Sequence, residues 1–283
     1  MTLLVLSPGL QTLVQDIGRH GHVASGVGIA GAFDRAAHRQ GNALVGNPAD
    51  AAVLEVLGGG LRLQSEREHV VAVTGAIGTV HVDGDSVEHG RALVVLPGQE
   101  LSLGSFTAGL RGYVALSGGI DVAPVLTSRS TDTLAGLGPP ALAAGDAIAV
   151  GTAAHAEALP PDVPALITSG TTTVDVVMGP RDDWFTGGAV AAFLRTGWTI
   201  SPMSNRVGIR LDGPMLERSI PAELPSEPCV FGSVQVTSGG LPVVLGPDHP
   251  VTGGYPVIAV VVDAHLDRLA QLRPGEVLRF RRH

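Results

Sequence analysis

The sequence predicts a mainly β protein with a few short helices. Its 283 residues include 39 glycines and 20 prolines, which divide the chain into short segments and mark frequent turns. Runs rich in β-branched residues recur between these turns, and only three segments have helical periodicity. A composition of 45% hydrophobic and 16% charged residues is typical of a chain that buries a large core.

Nine apolar runs of strand length are predicted to form the sheets. They lie at residues 3–6, 70–74, 92–96, 110–116, 172–178, 233–237, 243–245, 257–262 and 276–280. The longest of the uninterrupted apolar runs, 257–262, is far too short to span a bilayer, and no charged and apolar leader pattern opens the sequence. These two observations predict a cytoplasmic protein without a membrane partner.

The first predicted helix covers residues 34–45, with Ala36, Ala37 and Leu44 on one face, and ends at Gly46. Asn47 followed by Pro48 is typical of a helix N-cap with proline at the first helical position, so a further turn of helix is expected there.

Two more helices are predicted in the second half of the chain. Residues 183–195 begin with acidic side chains and are followed by Gly197. Residues 264–272 carry leucines at a spacing of three, and Pro274 ends that helix before the last strand.

An alanine- and proline-rich stretch between residues 152 and 165 has no apolar period and is the best linker candidate. It predicts an N-terminal β domain over residues 1–152, a linker at about 153–164 and a C-terminal β-barrel domain over 165–283. Each half of the chain ends with a similar short segment that leads into a strand, AAGDAIAV in the first half and RPGEVLRF in the second. This similarity indicates either two related barrels or a chance match.

The charged residues exclude several chemistries. All 18 basic residues are arginine, and the chain has no lysine, so it cannot carry a Walker A lysine, a Schiff base or a biotinyl-lysine. The net charge of −8 argues against nucleic acid as a partner. Cys229 is the only cysteine, and the ten histidines lack zinc-ligand spacing, so neither disulfides nor a metal site are predicted.

A dense polar segment occupies residues 7–47, with glycines at short intervals. Polar side chains at such density are costly to bury unless they pair with one another or bind a ligand. Glycine lets the backbone turn sharply, so that the side chains are presented from loops. In this segment Asp16 is a candidate catalytic residue for proton transfer, and Arg19 is a candidate substrate-binding residue.

A second polar cluster, Ser-Arg-Ser-Thr-Asp at 128–132, follows a predicted strand and a Gly-Gly pair. If Asp132 holds the guanidinium of Arg129, that side chain is prepared to bind a carboxylate through two parallel hydrogen bonds. Arg129 and Ser130 are therefore candidate substrate-binding residues; the alternative is an Arg–Asp pair that only closes the loop. Arg206, in Ser-Asn-Arg at 204–206, has the same two interpretations.

Asp248 and His249 are the best candidates for catalytic proton transfer. Histidine changes its charge near neutral pH, and an adjacent carboxylate can orient it or raise its pKa. The Gly-Gly pair at 253–254 offers backbone amides for an oxyanion or a phosphate. The alternative is that His249 is an ordinary loop residue.

The segment 7–47 and seven later blocks occur in the order seen in one known family. The later blocks lie at residues 54–55, 111–132, 179–185, 204–214, 226–236, 245–256 and 269–280. The chain therefore resembles the carboxyltransferase-like family that contains the C subunit of bacterial 5-oxoprolinase, the "allophanate hydrolase subunit 2" proteins and half of the carboxyltransferase domain of urea carboxylase. Where that family usually has glutamine and threonine, this chain has Pro250 and Val251.

The resemblance implies two cyclophilin-like β-barrel domains and an enzyme that is active only with partner subunits. The leading interpretation is the C subunit of a 5-oxoprolinase, which uses ATP, with or without magnesium, to open 5-oxoproline to L-glutamate together with the A and B subunits. Further candidate substrate-binding residues then lie in the matching blocks, namely Gln235, Thr252 and Tyr255.

Two alternatives stay open. One is a carboxyltransferase component of a urea or amide carboxylase, with biotin on a separate carrier protein. The other is a regulatory protein that antagonises an inhibitor of a histidine kinase. Each interpretation except the last requires a small amide or lactam substrate.

Overall fold

The computed structural model describes residues 2–152 and 170–283, so the linker predicted at 153–164 lies outside the described residues. The described residues form two compact units. The N unit contains residues 2–20, 30–132 and 136–152, and the C unit contains residues 21–29, 133–135 and 170–283. The sequence did not indicate that the two short segments 21–29 and 133–135 group with the C unit.

A curled sheet of nine strands forms the N unit. Its strands are β1 (Thr2–Pro8), β2 (Gln11–Gln15), β3 (Val53–Leu57), β4 (Leu61–Ser65), β5 (His69–Val82), β6 (Asp85–Val87), β7 (Ala92–Val95), β8 (Glu100–Leu116) and β9 (Ala147–Ala149). Strand β8 is central because it pairs with β3, β4 and β5. A continuous apolar core lies on the inner face of this sheet, and its leucines and valines are almost completely buried.

The one α-helix described in the N unit, α1 (Arg35–Leu44), matches its prediction closely. The carboxylate of Asp34 caps it by accepting the backbone N–H of Ala37 at 2.8 Å. The further helical turn expected at Asn47 is wrong. The Asn47 side chain instead donates to the carbonyl of Leu116 and accepts the N–H of Gly118, so it joins this loop to the end of β8.

Seven strands close into a barrel in the C unit, in the order β10-β17-β14-β15-β12-β11-β18. The strands of this unit are β10 (Thr171–Met178), β11 (Gly197–Ile200), β12 (Gly208–Asp212), β13 (Glu227–Pro228), β14 (Ser233–Val236), β15 (Pro242–Leu245), β16 (Thr252–Gly253), β17 (Val257–Val261) and β18 (Val277–Arg282). The barrel closes through the parallel pair β10 and β18. Strands β13 and β16 form a separate small ladder.

The two helices predicted in the C unit are shorter than expected. Helix α2 (Gly187–Arg195) is capped by Thr186, and the acidic residues before it form a 3-10 turn, Asp182–Trp184. Helix α3 (Leu266–Leu269) follows another 3-10 turn, Asp263–His265.

The predicted fold class is confirmed: the described chain is mainly β, with one closed barrel, one curled sheet and a few short helices. Across the two described ranges, no helix is both long and apolar enough to cross a membrane.

Candidate functional site

Asp16 organises the polar cluster of the N unit. It follows β2, is 6% exposed, and its carboxylate accepts hydrogen bonds from the hydroxyls of Ser128 and Ser130 at 2.6 and 2.5 Å. The backbone N–H groups of Gly18 and Arg129 donate to it at 2.8 and 2.6 Å. The structure therefore brings together residues that the sequence placed more than 100 positions apart.

The same contacts hold Asp16 in its ionised form. Burial raises the pKa of Asp16, but the hydrogen bonds from Ser128, Ser130, Arg129 and Gly18 outweigh burial, so the pKa lies below its usual value. A carboxylate that accepts four hydrogen bonds and has a lowered pKa is a poor proton acceptor near neutral pH. This geometry fits a positioning role for Asp16 better than the catalytic role considered from the sequence.

Arg129 presents its side chain from the backbone that Asp16 holds. The side chain is 41% exposed, and its Nη2 atom lies 3.9 Å from Oδ1 of Asp121. It lines a cavity of about 280 Å³ whose wall includes Asp50 and Gly118. A Cβ at Gly118 would overlap the carbonyl of Gly151, so glycine is needed there for two chain segments to approach.

The expected ion pair between Arg129 and Asp132 is wrong. Asp132 instead faces Arg19, whose Nη1 atom lies 3.7 Å from Oδ2 of Asp132. Arg19 is completely buried and also donates to the carbonyl of Ser130. Because no solvent reaches its side chain, Arg19 stabilises the 128–132 loop from within and does not face the cavity opening.

Arg206 and Asp248 form a buried bidentate ion pair in the C unit. Nε and Nη2 of Arg206 donate to the two carboxylate oxygens of Asp248 at 2.9 and 2.8 Å, and both side chains are at most 3% exposed. Thr133 adds hydrogen bonds from its N–H and hydroxyl to the same carboxylate at 2.9 and 2.7 Å.

This pairing bears on two expectations. Nε and Nη2 of Arg206 donate to Asp248, and the carboxylate of Asp248 accepts hydrogen bonds from Arg206 and Thr133. Burial raises the pKa of Asp248, but the charge and hydrogen bonds of Arg206, with those of Thr133, lower it below its usual value.

His249 is half-buried beside this pair. Its Nδ1 atom lies 2.8 Å from the carbonyl oxygen of Pro250. Because a carbonyl only accepts hydrogen bonds, Nδ1 carries the proton, and the neutral ring then has its lone pair on Nε2. The contact with Pro250 therefore favours the ring form that carries a proton on Nδ1. The backbone carbonyl of Pro250, a residue at which the chain departs from the family pattern, sets that tautomer.

Gln235, Cys229 and Tyr255 meet at the small ladder of β13 and β16. Gln235 Nε2 lies 3.3 Å from the sulfur of Cys229 and 3.4 Å from the carbonyl of Tyr255. A Cβ at Gly253 would come within 2.5 Å of that amide, so glycine makes room for Gln235. Burial, with the charge of Glu227, raises the pKa of the Cys229 thiol, as expected for a structural cysteine.

The candidate substrate-binding residues of the C unit therefore differ in accessibility. Thr252 is exposed on β16, and Tyr255 is 43% exposed just after it. Gln235 and Arg206 are buried, so of these four only Thr252 and Tyr255 present surface to a ligand in this conformation.

Sequence reasoning missed a buried network in the N unit. Oε2 of Glu55 accepts the hydroxyl of Tyr113 at 2.8 Å and the N–H of Phe33 at 3.0 Å, while Arg111 lies 4.4 Å above the Phe33 ring. Burial, with the charges of Glu55 and Asp34, raises the pKa of Tyr113 well above its usual value, so it stays a donor. The sequence did contain a signal for this network, because Glu55 is the one carboxylate in the otherwise apolar strand Val53–Leu57.

A second missed pair, Arg181 with Glu227, lies in the C unit. Nε of Arg181 donates to Glu227 at 3.0 Å, and both side chains are partly exposed. Within residues 2–152 and 170–283, no group of three histidine, cysteine, aspartate or glutamate side chains could hold a metal ion.

Comparison with known proteins identifies the family. The profile described as "carboxyltransferase domain, subdomain A and B" matches residues 25–282. The chain belongs to this carboxyltransferase family. It is 38% identical to the C subunit of 5-oxoprolinase from Escherichia coli over 98% of this chain and 90% of that protein.

Two solved structures have the same fold as this chain. Kluyveromyces lactis urea carboxylase matches 99% of this chain with a TM-score of 0.91 and 29% identity, and this chain spans 27% of its length. The structure of TTHA0988 matches 99% of this chain and 100% of its own length, with a TM-score of 0.85 and 31% identity. The family resemblance seen in the sequence is thereby confirmed.

Proposed function

We propose that this chain is the C subunit of an ATP-dependent bacterial 5-oxoprolinase. In this proposal it acts with proteins resembling the A and B subunits to open the lactam of 5-oxoproline to L-glutamate. The observation that carries the proposal is the similarity to the Escherichia coli C subunit over nearly the full length of both chains. A protein named as a subunit implies that partner subunits are part of the active enzyme.

His249 is the group that we assign to proton transfer. Its Nδ1–H is held by the carbonyl of Pro250, so Nε2 is the atom that accepts or returns a proton at the lactam. Asp248, with Arg206 and Thr133, fixes the start of the loop that carries His249. Thr252 and Tyr255 are the exposed side chains that would contact the substrate in this unit.

The charges that line the cavity beside Arg129 disfavour ATP. Asp50 and Asp121 line that cavity together with Arg129, and two carboxylates repel a triphosphate. We therefore derive no step of this chain's chemistry from bound ATP, and the nucleotide is a co-substrate of the assembled enzyme.

A carboxyltransferase acting on urea or a related amide is the second candidate function. The match to the carboxyltransferase profile and the urea carboxylase structure favour it. In that case the biotinyl-lysine must come from another protein, because this chain has no lysine.

Reconstitution distinguishes the two functions. The chain is purified alone and with the proteins of the same genome that resemble the A and B subunits, and glutamate release from 5-oxoproline is measured with and without ATP. We expect ATP-dependent turnover only in the complete mixture. Turnover by the chain alone would remove the requirement for partners, whereas carboxylation of urea by a carboxylated biotin carrier, without 5-oxoproline turnover, would establish the second function.

A further inference from the structure

We propose that the cavity beside Arg129 in the N unit binds the carboxylate of a small, singly charged substrate. The inference deepens the proposed function, on which it rests for the identity of that substrate, 5-oxoproline. It adds the chemical group that the N unit recognises and the residues that make this recognition selective, and it is a separate assignment from the proton transfer proposed for His249 of the C unit.

The first argument is that the Arg129 guanidinium has unused donors. Its Nε atom is buried and has no hydrogen-bond partner among the described residues. The approach to Asp121, at 3.9 Å, is too long for a hydrogen bond. Because Nε is buried and the side chain as a whole is 41% exposed, a ligand would reach the terminal Nη1 and Nη2 edge, and such an edge binds a carboxylate through two parallel hydrogen bonds. The cavity, at about 280 Å³, has the size of a small ligand site.

The second argument is that hydrogen bonds hold the backbone at Arg129 in place. Its own backbone N–H donates to Asp16, and both neighbouring serines donate their hydroxyls to the same carboxylate. The preceding turn joins Val125 and Ser128 by two backbone hydrogen bonds. The backbone that carries the guanidinium is thus held in place, which reduces the entropy lost when a ligand binds.

The third argument concerns charge. Asp50 and Asp121 line the cavity with Arg129, so these three side chains sum to one negative charge. Such a site repels a phosphate dianion more strongly than a monoanion, and a monoanion with an N–H donor can offset the repulsion by donating to the carboxylates. 5-Oxoproline has one carboxylate and one ring N–H, and it meets both requirements.

Titration calorimetry on the full chain tests the site with three probes. We expect 5-oxoproline to bind at least tenfold more tightly than 2-pyrrolidone, which has the same lactam without the carboxylate. Inorganic phosphate should bind more weakly than 5-oxoproline, and the D50N/D121N variant should raise the affinity for phosphate. Equal binding of the two lactams, tighter binding of phosphate than of 5-oxoproline, or no binding of any probe would overturn the proposal.

Variants of two arginines provide the matched comparison. R129Q should weaken 5-oxoproline binding at least tenfold, and R129K should lie between R129Q and wild type, because lysine keeps the charge and loses the fork. The control is R91Q, since Arg91 is an exposed arginine of the same unit that pairs with nearby Glu88. If R129Q and R91Q bind 5-oxoproline equally well, the proposed site is wrong.

The assembled complex separates this inference from the proposed function. If the complex hydrolyses 5-oxoproline and R129Q has the wild-type KM, the cavity assignment fails and the function stands. If the complex does not act on 5-oxoproline but the chain binds it through Arg129, the function fails and the site stands. Circular dichroism of each variant excludes misfolding as the cause.

Discussion

Replacing Asp248 with asparagine should destabilise the C unit strongly. Asp248 and Arg206 are buried and share two short hydrogen bonds. D248N leaves the Arg206 guanidinium buried without its counter-charge, and breaking such a pair from one side costs about 3–5 kcal/mol. With a urea dependence of about 2 kcal/mol per M, the midpoint of unfolding should fall by about 1.5–2.5 M.

Tryptophan fluorescence follows this unit selectively. The chain has two tryptophans, Trp184 and Trp198, and both lie in the C unit. Trp198 is completely buried in the barrel, so its emission reports the loss of this core. The matched control is R281Q, because Arg281 is an exposed arginine paired with Asp175 and should change the midpoint little.

A double variant tests the reasoning directly. R206M/D248L removes both charges, so the C unit should recover most of the stability lost in D248N. The reasoning is refuted if D248N shifts the midpoint by less than about 0.5 M, or if the double variant is as unstable as the single one.

The pH dependence has a defined sign. Because the pKa of Asp248 in the folded chain is lowered, its contribution to stability is fully present above the unfolded value of about 3.9 and is lost as the pH falls towards the folded value. The fluorescence midpoint of wild type should therefore fall more steeply below about pH 4 than that of R206M/D248L.

Three further predictions concern other residues. In the reconstituted enzyme H249Q and H249N should both lower kcat at least tenfold. H249N can keep the hydrogen bond to Pro250, so it tests the loss of the titrating ring and not the loss of that contact. Unchanged activity in either variant would show that His249 transfers no proton. D16N places an amide against donors and should both weaken 5-oxoproline binding and lower the melting temperature; a loss of kcat alone, with unchanged KM, would restore a catalytic role for Asp16. Burial lowers the pKa of His38, so the N unit should lose stability as the pH falls below about 6.5; hydrogen exchange of α1 in wild type and H38Q tests this, and equal pH slopes would contradict it.

Much of the fold could be predicted because the signals are local. Every apolar run predicted as a strand overlaps an observed strand, and Asp34 with Gly46 marked the ends of α1. The full lengths of β5 and β8 could not be predicted, since both strands contain glycines and their apolar and polar side chains do not alternate regularly. Their pairing over ten registered positions, and not local propensity, holds them extended.

The candidate site was predictable in composition but not in pairing. Polar density drew attention to Asp16 and Ser130, which meet in the structure. Arginine partners could not be read from neighbouring positions, because the partner of Asp132 is Arg19 and the partner of Asp248 is Arg206. The ion-pair partner of a long side chain often comes from a distant part of the sequence, so the residues next to an arginine say little about which carboxylate it will bind.

The turn before Arg129 leaves room for protein engineering. Leu126 and Thr127 occupy its two central positions with φ of 50° and 70°, a left-handed conformation that side chains of these types disfavour. Asn-Gly at the same positions is the usual choice for such a turn and should make the chain more heat-resistant. If the strained pair sets the angle at which the guanidinium leaves the backbone, the more heat-resistant variant will bind the ligand more weakly. The wild-type turn then favours ligand affinity at the expense of thermal stability.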